Sequence, residues 1–568
     1  MLKKVFGKLI RFWKRHSILL TLLLIAGLAF FVRCLHLFDS SHYYIISADS
    51  HFFHWMADRV MDGQPVPMDV QPSGLTYPLA YIAKAISFGF SSQEDALAFA
   101  SRFLPPFLGV ITAIVLYLAV SRIWDRRVGL CSALAWAVLP HAYFIQGAGY
   151  LDRDGLNVLL ITVGAFAFFL AKRWHIRIGQ RDVGWVLAAL VILGIELLLY
   201  FEWSWVGPGL LLAIIIAYFA AELLVKSLLG HEEPAPAAGY QTFSQRLFAR
   251  IRSAVRESNW QPFALIISLN VLVALINLGT TSETIDFIEV LIASSGAEIA
   301  ELQGIGLGDL RLYEVFLFLA PIGIFLAVMR RREGDIFVLS WLLALFILSL
   351  FARRIILYAA PAVAIIGAMT VASLWDFRYS RRLERRIQQI VAVLVVLIMI
   401  GLSARSYDLG SEQRVAANQD WQDGLIYLRD NAAEDAVVMS WWDFGYWILD
   451  VAQRRPVVDG GWLSHSKRTD DDIGLAYCTD RASDAVEVMR KYGADYLVFS
   501  RVEREIEPVI AIHGVGMENY VAWREGERMN SLWLRSLTGD FQSGGGLERV
   551  YPGPDVENPG LVVLGLTE

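Results

Sequence analysis

Charge is scarce in this sequence. Only 19% of its 568 residues are Asp, Glu, Lys or Arg, while 56% are hydrophobic; an ordinary soluble chain carries roughly 25% charged residues. That shortage, with a mean hydropathy of +0.46, argues against a soluble protein and for a polytopic membrane protein. Cysteine is nearly absent. Cys34, Cys131 and Cys478 stand far apart, which excludes a disulfide framework or a thiolate metal site. No internal repeat is visible, the net charge of −6 is uninformative as a total because the charges are strongly segregated, and no nucleic-acid partner is expected.

What the sequence does have is long apolar runs. They lie at 17–38, 100–120, 128–147, 156–171, 183–201, 205–225, 262–278, 312–329, 336–351, 355–374 and 387–404, about eleven segments of roughly bilayer-spanning length. The first follows the basic stretch MLKKVFGKLIRFWKRH. It is too long for the core of a cleaved signal peptide and reads as an uncleaved signal anchor. Residues 405–568 alternate short apolar strands (VVMSWW, RPVVD, DYLVFS) with amphipathic helices such as RASDAVEVMRKYG. The expected fold is an α-helical polytopic membrane domain over 1–404, followed by a small α/β domain over 405–568.

The loops set the orientation. Lys and Arg concentrate in alternate loops: SRIWDRR, KRWHIRIGQR, ARIRSAVRES, RRRE and DFRYSRRLERR. The others are poor in them, since 39–99 has only Arg59 and Lys84, 148–155 only Arg153, and 279–311 only Arg311. Positively charged loops stay in the cytoplasm. The N-terminus is therefore expected inside the cell (inner) membrane, with loops 39–99, 148–155 and 279–311 and the domain 405–568 outside it.

Carboxylates gather on that outer side. Asp49 lies in SADSHFFHWMADR, Asp152 and Asp154 in GYLDRDG, Glu298 and Glu301 in SSGAEIAELQ, and Asp443 in WWDFGYW. Acids near a membrane surface are costly unless paired or bound to a cation. An Asp-x-Asp pair supplies hard oxygen donors of the kind Mg²⁺ or Mn²⁺ prefers. For any single Asp, a solvated loop acid is the better account; the set taken together favours a metal. Arg353 and Arg354, in FARRIILYAAP, sit at an outer helix end against the positive-inside bias. They either snorkel to headgroups or clamp a phosphate.

WWDFG closely resembles the WWDYG signature of oligosaccharyltransferase catalytic subunits, the STT3/PglB/AglB family, and the similarity runs over nearly the whole chain. The resemblance implies a GT-C membrane fold with about 11–13 transmembrane helices. It implies a metal-dependent glycosyltransferase moving a glycan from a polyprenyl-pyrophosphate carrier to Asn in Asn-x-Ser/Thr sequons of acceptor polypeptides. By that resemblance Asp49, Asp152, Asp154 and Glu301 are the ligands of Mn²⁺ or Mg²⁺, with Asp49 and Glu301 also acting on the Asn amide. Arg354 corresponds to the pyrophosphate-binding arginine. Trp441, Trp442 and Asp443 correspond to the sequon pocket, and Ile506, in EREIEP, to its second motif, with Glu503 where the family carries methionine. A monomeric, single-subunit bacterial or archaeal enzyme in contact with membrane lipid is expected.

The chemistry of the motif agrees. The β-hydroxyl of the +2 Ser or Thr both donates and accepts hydrogen bonds. Asp443 can accept from it, indole N–H groups can donate to it, and aromatic walls exclude water. Packing alone explains three tryptophans but not the acid among them. Three rivals stand beside this reading. Another lipid-linked-sugar transferase, acting on lipid A or Ser/Thr, would not need WWDFG. A transporter would hold its charges near the midplane. A sugar-binding receptor would need no metal.

Overall fold

The computed structural model describes residues 2–38, 48–64, 74–171, 177–178, 181–182, 184–203, 206–229, 313, 316–376, scattered positions of 390–401, and 419–460, 466–553, 556 and 559–567. The chain packs as two compact units. One comprises Met1–Leu35, Pro106–Gly147 and Arg153–Glu412, the other His36–Pro105, Ala148–Asp152 and Gln413–Glu568. The division follows packing rather than chain order. Two segments from within 1–404, His36–Pro105 and Ala148–Asp152, belong with the C-terminal residues.

The first unit is helical. Its apolar runs form Arg126–Val138 with Pro140–Gln146, Arg153–Ala171, Gly184–Trp203, Val206–Leu229, Phe316–Arg330, Glu333–Ser349 and Ala360–Asp376. Helix Gln93–Ile123 contributes its second half. Among the described residues, four helices are long and apolar enough to cross a membrane, or five if the pair bent by 62° at residue 139 counts as one span. The runs 262–278 and most of 387–404 lie outside the described residues. That bend has a local cause. Pro140 lacks an N–H and holds Leu139 extended, at φ −69° and ψ 122°, so the first helix stops and a second begins.

Large apolar side chains cover the outside of these helices. On Phe316–Arg330, Phe318, Ile322, Phe325 and Met329 are exposed, whereas Phe316, Leu319 and Ala327 are buried. That spacing is one helical stripe, and a fully apolar exposed stripe suits lipid rather than water. The opposite faces interlock: Phe169 stacks on Phe337 at 4.8 Å, and both Phe166 and Phe337 pack against Trp341.

The second unit carries a five-stranded sheet. In chain order the strands are β1 Val437–Met439, β2 Arg455–Pro456, β3 Tyr496–Ser500, β4 Leu547–Tyr551 and β5 Leu561–Leu566. Their order across the sheet is β2-β1-β3-β5-β4, with β1 parallel to β2 and β3, and β5 antiparallel to β3 and β4. Leu497–Ser500 are buried, as a central strand covered on both faces requires. Helix Ala482–Tyr492 arises from its ends as well as its stripe. Asp484 occupies the first turn, Arg490 and Lys491 the last, and Gly493 closes it at φ +65°, while Ala485, Val486, Val488 and Met489 are buried.

Candidate active site

In the helical unit the site is built on Asp154, which opens helix Arg153–Ala171 and is 2% exposed. The loop before it is drawn close: Gln146 Nε2 donates to the carbonyl of Gly155 at 2.9 Å, and a Cβ on Gly155 would lie 2.9 Å from the carbonyl oxygen of Ile145. Asp154 Oδ1 accepts from the Tyr358 hydroxyl at 2.6 Å, and Oδ2 from Arg354 Nε at 3.0 Å. Both partners lie on the 3₁₀ turn Arg353–Ala359. Such a turn leaves carbonyls for other donors. Here the Tyr313 hydroxyl donates to Ile356 O at 2.6 Å and the Trp341 indole to Tyr358 O at 3.1 Å. Two aromatic side chains thus hold the backbone that carries Arg354. The expected metal ligand, which is buried, and the expected phosphate-binding cation, which is partly exposed, form one ion pair.

In the second unit Asp49 sits in the first turn of helix Ala48–Met61, where the positive end of the helix dipole favours an anion. His51 Nδ1 lies 2.5 Å from Asp450 Oδ2, Phe52 packs on Tyr446 at 4.7 Å, and His54 Nδ1 lies 2.9 Å from Ser101 Oγ. The helix bearing Asp49 is therefore docked on the residues that immediately follow WWDFG. Asp152, in the same unit, is 4% exposed.

WWDFG itself divides between core and surface. Trp441 follows β1 in extended conformation, and its indole is 1% exposed in the hydrophobic core. The 3₁₀ turn Trp442–Phe444 then redirects the chain, leaving Trp442 and Asp443 half-buried. Phe444 returns inward to stack on Trp421 at 4.7 Å, where Trp447 also packs. Gly445 closes the motif because no side chain fits there: a Cβ would collide with Val458 O and Asp459 Cα. Trp441 and Trp442, both expected in the sequon pocket, differ in burial: the first lies in the core and the second is half-buried.

Ile506 ends the 3₁₀ turn Val502–Ile506 and packs partly buried against the same core. Glu503, on that turn, is fully buried and bonded to Tyr477 and Ser500. Glu298, Glu301 and Arg311 lie outside the described residues. Among the described residues, no three His, Cys, Asp or Glu side chains are grouped to hold a metal ion. The chemistry of the available donors still suits a hard divalent cation, because Asp49, Asp152 and Asp154 offer only carboxylate oxygens. Sequence reasoning missed Tyr358, His51, Asp450 and Tyr477, whose partners lie from 21 to 399 positions away.

The chain resembles known proteins over most of its length. It is 24% identical over 489 residues to dolichyl-phosphooligosaccharide-protein glycotransferase 2 of Pyrococcus furiosus, covering 73% of this chain and 63% of that one. It is 24% identical over 552 residues to glycotransferase 1 of Archaeoglobus fulgidus, covering 85% and 87%. Glycotransferase 1 of Pyrococcus furiosus is 20% identical, and this chain spans 48% of its length, so it covers less than two thirds of both Pyrococcus relatives. In fold it is similar to the oligosaccharyltransferase AglB of Archaeoglobus fulgidus, solved with an inhibitory peptide and a dolichol-phosphate. That likeness has a TM-score of 0.67 at 16% identity over 95% of this chain and 80% of that one. ArnT of Cupriavidus metallidurans shares the fold at a TM-score of 0.52 and 10% identity, over 97% and 98% of the two chains. The family profile described as oligosaccharyl transferase STT3, N-terminal, matches residues 18–410; with its helical membrane unit, its Arg354–Asp154 ion pair and its WWDFG turn, the chain belongs to the STT3 family.

Proposed function

We propose that this chain is a membrane-embedded oligosaccharyltransferase, moving a glycan in one step from a polyprenyl-pyrophosphate carrier to the side-chain amide of Asn in Asn-x-Ser/Thr sequons. The observation that carries the reading is the docking of the Asp49 helix onto the WWDFG segment through His51–Asp450 and Phe52–Tyr446. A carboxylate that acts on the acceptor Asn must stand at a fixed distance from whatever reads the residue two positions on. The names of the archaeal relatives support the dolichyl-linked donor class.

The Asn amide is a poor nucleophile because its nitrogen lone pair is shared with the carbonyl, and a full twist of such a bond costs about 18–20 kcal/mol. Asp49 and Glu301 would accept hydrogen bonds from the amide hydrogens and weaken that conjugation as attack proceeds. Trp442 and Asp443 would bind the +2 hydroxyl, with Trp441 fixing their backbone from the core and Ile506 closing the pocket. Arg354 would exchange part of its pairing with Asp154 for the donor pyrophosphate, whose oxygens a guanidinium matches in pairs. Asp49, Asp152, Asp154 and Glu301 would hold Mn²⁺ or Mg²⁺. That cation, when bound, stabilises negative charge on the leaving pyrophosphate.

The outer loops and residues 405–568 would face away from the cytoplasm, as the positive-inside pattern requires. The test is incubation of the purified chain with a dolichyl- or undecaprenyl-pyrophosphate oligosaccharide and a fluorescent Asn-x-Thr peptide. A glycan-sized mobility shift, lost when Asn is replaced by Gln, is the expected result. Transfer to lipid A or to Ser/Thr instead would sink the reading.

A further inference from the structure

Glu503 is 0% exposed and lies on the turn that carries Ile506. Its Oε2 accepts from Ser500 N–H at 2.6 Å and meets the Ser500 hydroxyl, while its Oε1 lies 3.0 Å from the Tyr477 hydroxyl. Tyr477 reaches the aromatic motif: its oxygen accepts from Trp441 N–H at 3.1 Å and lies 2.9 Å from Val498 O. Ser500 is braced in turn, since the Trp421 indole donates to its hydroxyl at 2.9 Å and the Trp533 indole to its carbonyl at 3.0 Å. One network joins the backbone of WWDFG to the turn Val502–Ile506.

The protons in this network can be counted. Tyr477 has one hydroxyl proton but two acceptors, Val498 O and Glu503 Oε1. Both contacts are hydrogen bonds only when a second proton sits on Glu503 Oε1. Glu503 then donates to Tyr477, Tyr477 donates to Val498, and Oε2 still takes both Ser500 donors. Burial acts in the same direction, pushing the Glu503 carboxyl up to about 8 against the hydrogen bonds from Ser500 and Tyr477 that lower it. Burial also holds the Tyr477 hydroxyl well above its ordinary range. Charged groups of the neighbouring elements include Arg501 and Arg504 beside Glu503 in the chain, Glu507 paired with Arg528, His513 paired with Asp471, Asp472 paired with Lys491, Arg468 and Asp470 on the helix of Tyr477, and Arg535 on that of Trp533.

We propose that Glu503 is a positioning residue for the acceptor: its protonated carboxyl locks the Trp441 backbone and the Ile506 turn into one arrangement, so that Trp442, Asp443 and Ile506 are presented to the sequon together. This rests on the acceptor reading above. Above the carboxyl's titration Oε1 no longer donates; Tyr477 turns its proton to the carboxylate and gives up Val498 O, so the Trp441 backbone and the Ile506 turn lose the bond that ties their shared network to strand β3.

The experiment measures peptide KM and kcat for the full chain between pH 6 and 9.5, with a saturating lipid-linked oligosaccharide. In the wild type KM is expected to rise by about tenfold as pH passes 8, the scale of one hydrogen bond to a charged or buried partner. Glu503→Gln supplies an amide N–H in place of the carboxyl proton, so its KM should stay within about threefold of the wild type at pH 6.5. It should then not rise with pH. Tyr477→Phe should raise KM by about tenfold with kcat and donor binding unchanged. A Glu503→Gln enzyme whose KM climbs with pH as in the wild type overturns the proposal, as does a Tyr477→Phe enzyme that loses kcat alone. A wild-type protein that glycosylates no sequon peptide removes the acceptor reading itself, and this proposal with it.

Discussion

His51 Nδ1 and Asp450 Oδ2 stand 2.5 Å apart although 399 positions separate them, and both side chains are buried. One belongs to the helix of Asp49, the other to the π-turn Ile448–Ala452 just after the aromatic motif. Removing either partner leaves the other buried without its bond. His51→Ala and Asp450→Ala should each lower glycan transfer by about ten- to hundredfold, the scale of a 1.5–3 kcal/mol charged hydrogen bond. The double variant should be little worse than either single one, with a coupling of about 1–3 kcal/mol in a double-mutant cycle. Additive losses would separate the two residues.

In the proposed site Asp154 would bear on metal and donor at once. Tyr358→Phe deletes a 2.6 Å hydrogen bond to its Oδ1 while keeping the ring. Transfer should fall by about tenfold or more, whereas peptide affinity measured without donor should not move. EDTA should abolish transfer, with Mn²⁺ or Mg²⁺ restoring it. Asp152→Ala should lose most activity while remaining membrane-inserted. Full transfer by EDTA-stripped protein would remove the metal.

The two indoles of the motif should part company. Trp442→Ala and Asp443→Ala should weaken peptide affinity by about ten- to hundredfold and flatten the rate ratio between Thr and Ala at +2. Trp441→Ala empties a core position and should cost about 3–5 kcal/mol of stability, as deletion of a buried aromatic does. Thermal unfolding beside peptide titration separates the cases. If Asp443→Ala keeps the Thr/Ala ratio steep, the surface half of the motif does not read the sequon.

The Glu503 carboxyl also sets a pH dependence of stability. Its pKa rises from 4.5 to about 8 on folding, through burial. The folded state therefore binds a proton that the unfolded state has lost between those values, and stability falls as pH rises through that window. Its contribution is complete below 4.5 and gone above about 8. Denaturant unfolding of the full chain, followed by tryptophan fluorescence, should show this slope, and Glu503→Gln should flatten it. A slope unchanged in the variant would assign it to other groups.

Much of this was legible in the chain. Strands β1 to β3 lie where VVMSWW, RPVVD and DYLVFS placed them, and helix Ala482–Tyr492 lies within RASDAVEVMRKYG, because a period of 2 or 3.6 is a local property. The loop carboxylates and Arg354 stood out as candidates by their misfit with the surrounding apolar segments. The split between Trp441 and Trp442 was not legible. It depends on a 3₁₀ turn that begins between two identical residues, and no periodicity marks where a strand ends. Nor could composition reveal that Tyr358 completes Asp154 across 204 positions, since pairing at that distance is decided by packing.

The second unit is assembled from His36–Pro105, Ala148–Asp152 and Gln413–Glu568, which has a consequence for synthesis. At about 5–20 residues per second, Asp450 follows His51 by 399 positions and thus by roughly 20–80 s. Throughout that interval the helix carrying Asp49 is already made but its docking face, with Phe52 and His51, has no counterpart. Loop closure over such a separation is slow and exposes apolar surface meanwhile. The docking of the Asp49 helix is therefore completed only after the last third of the chain has emerged, and truncation anywhere before Tyr446 removes both partners of that helix, Tyr446 and Asp450.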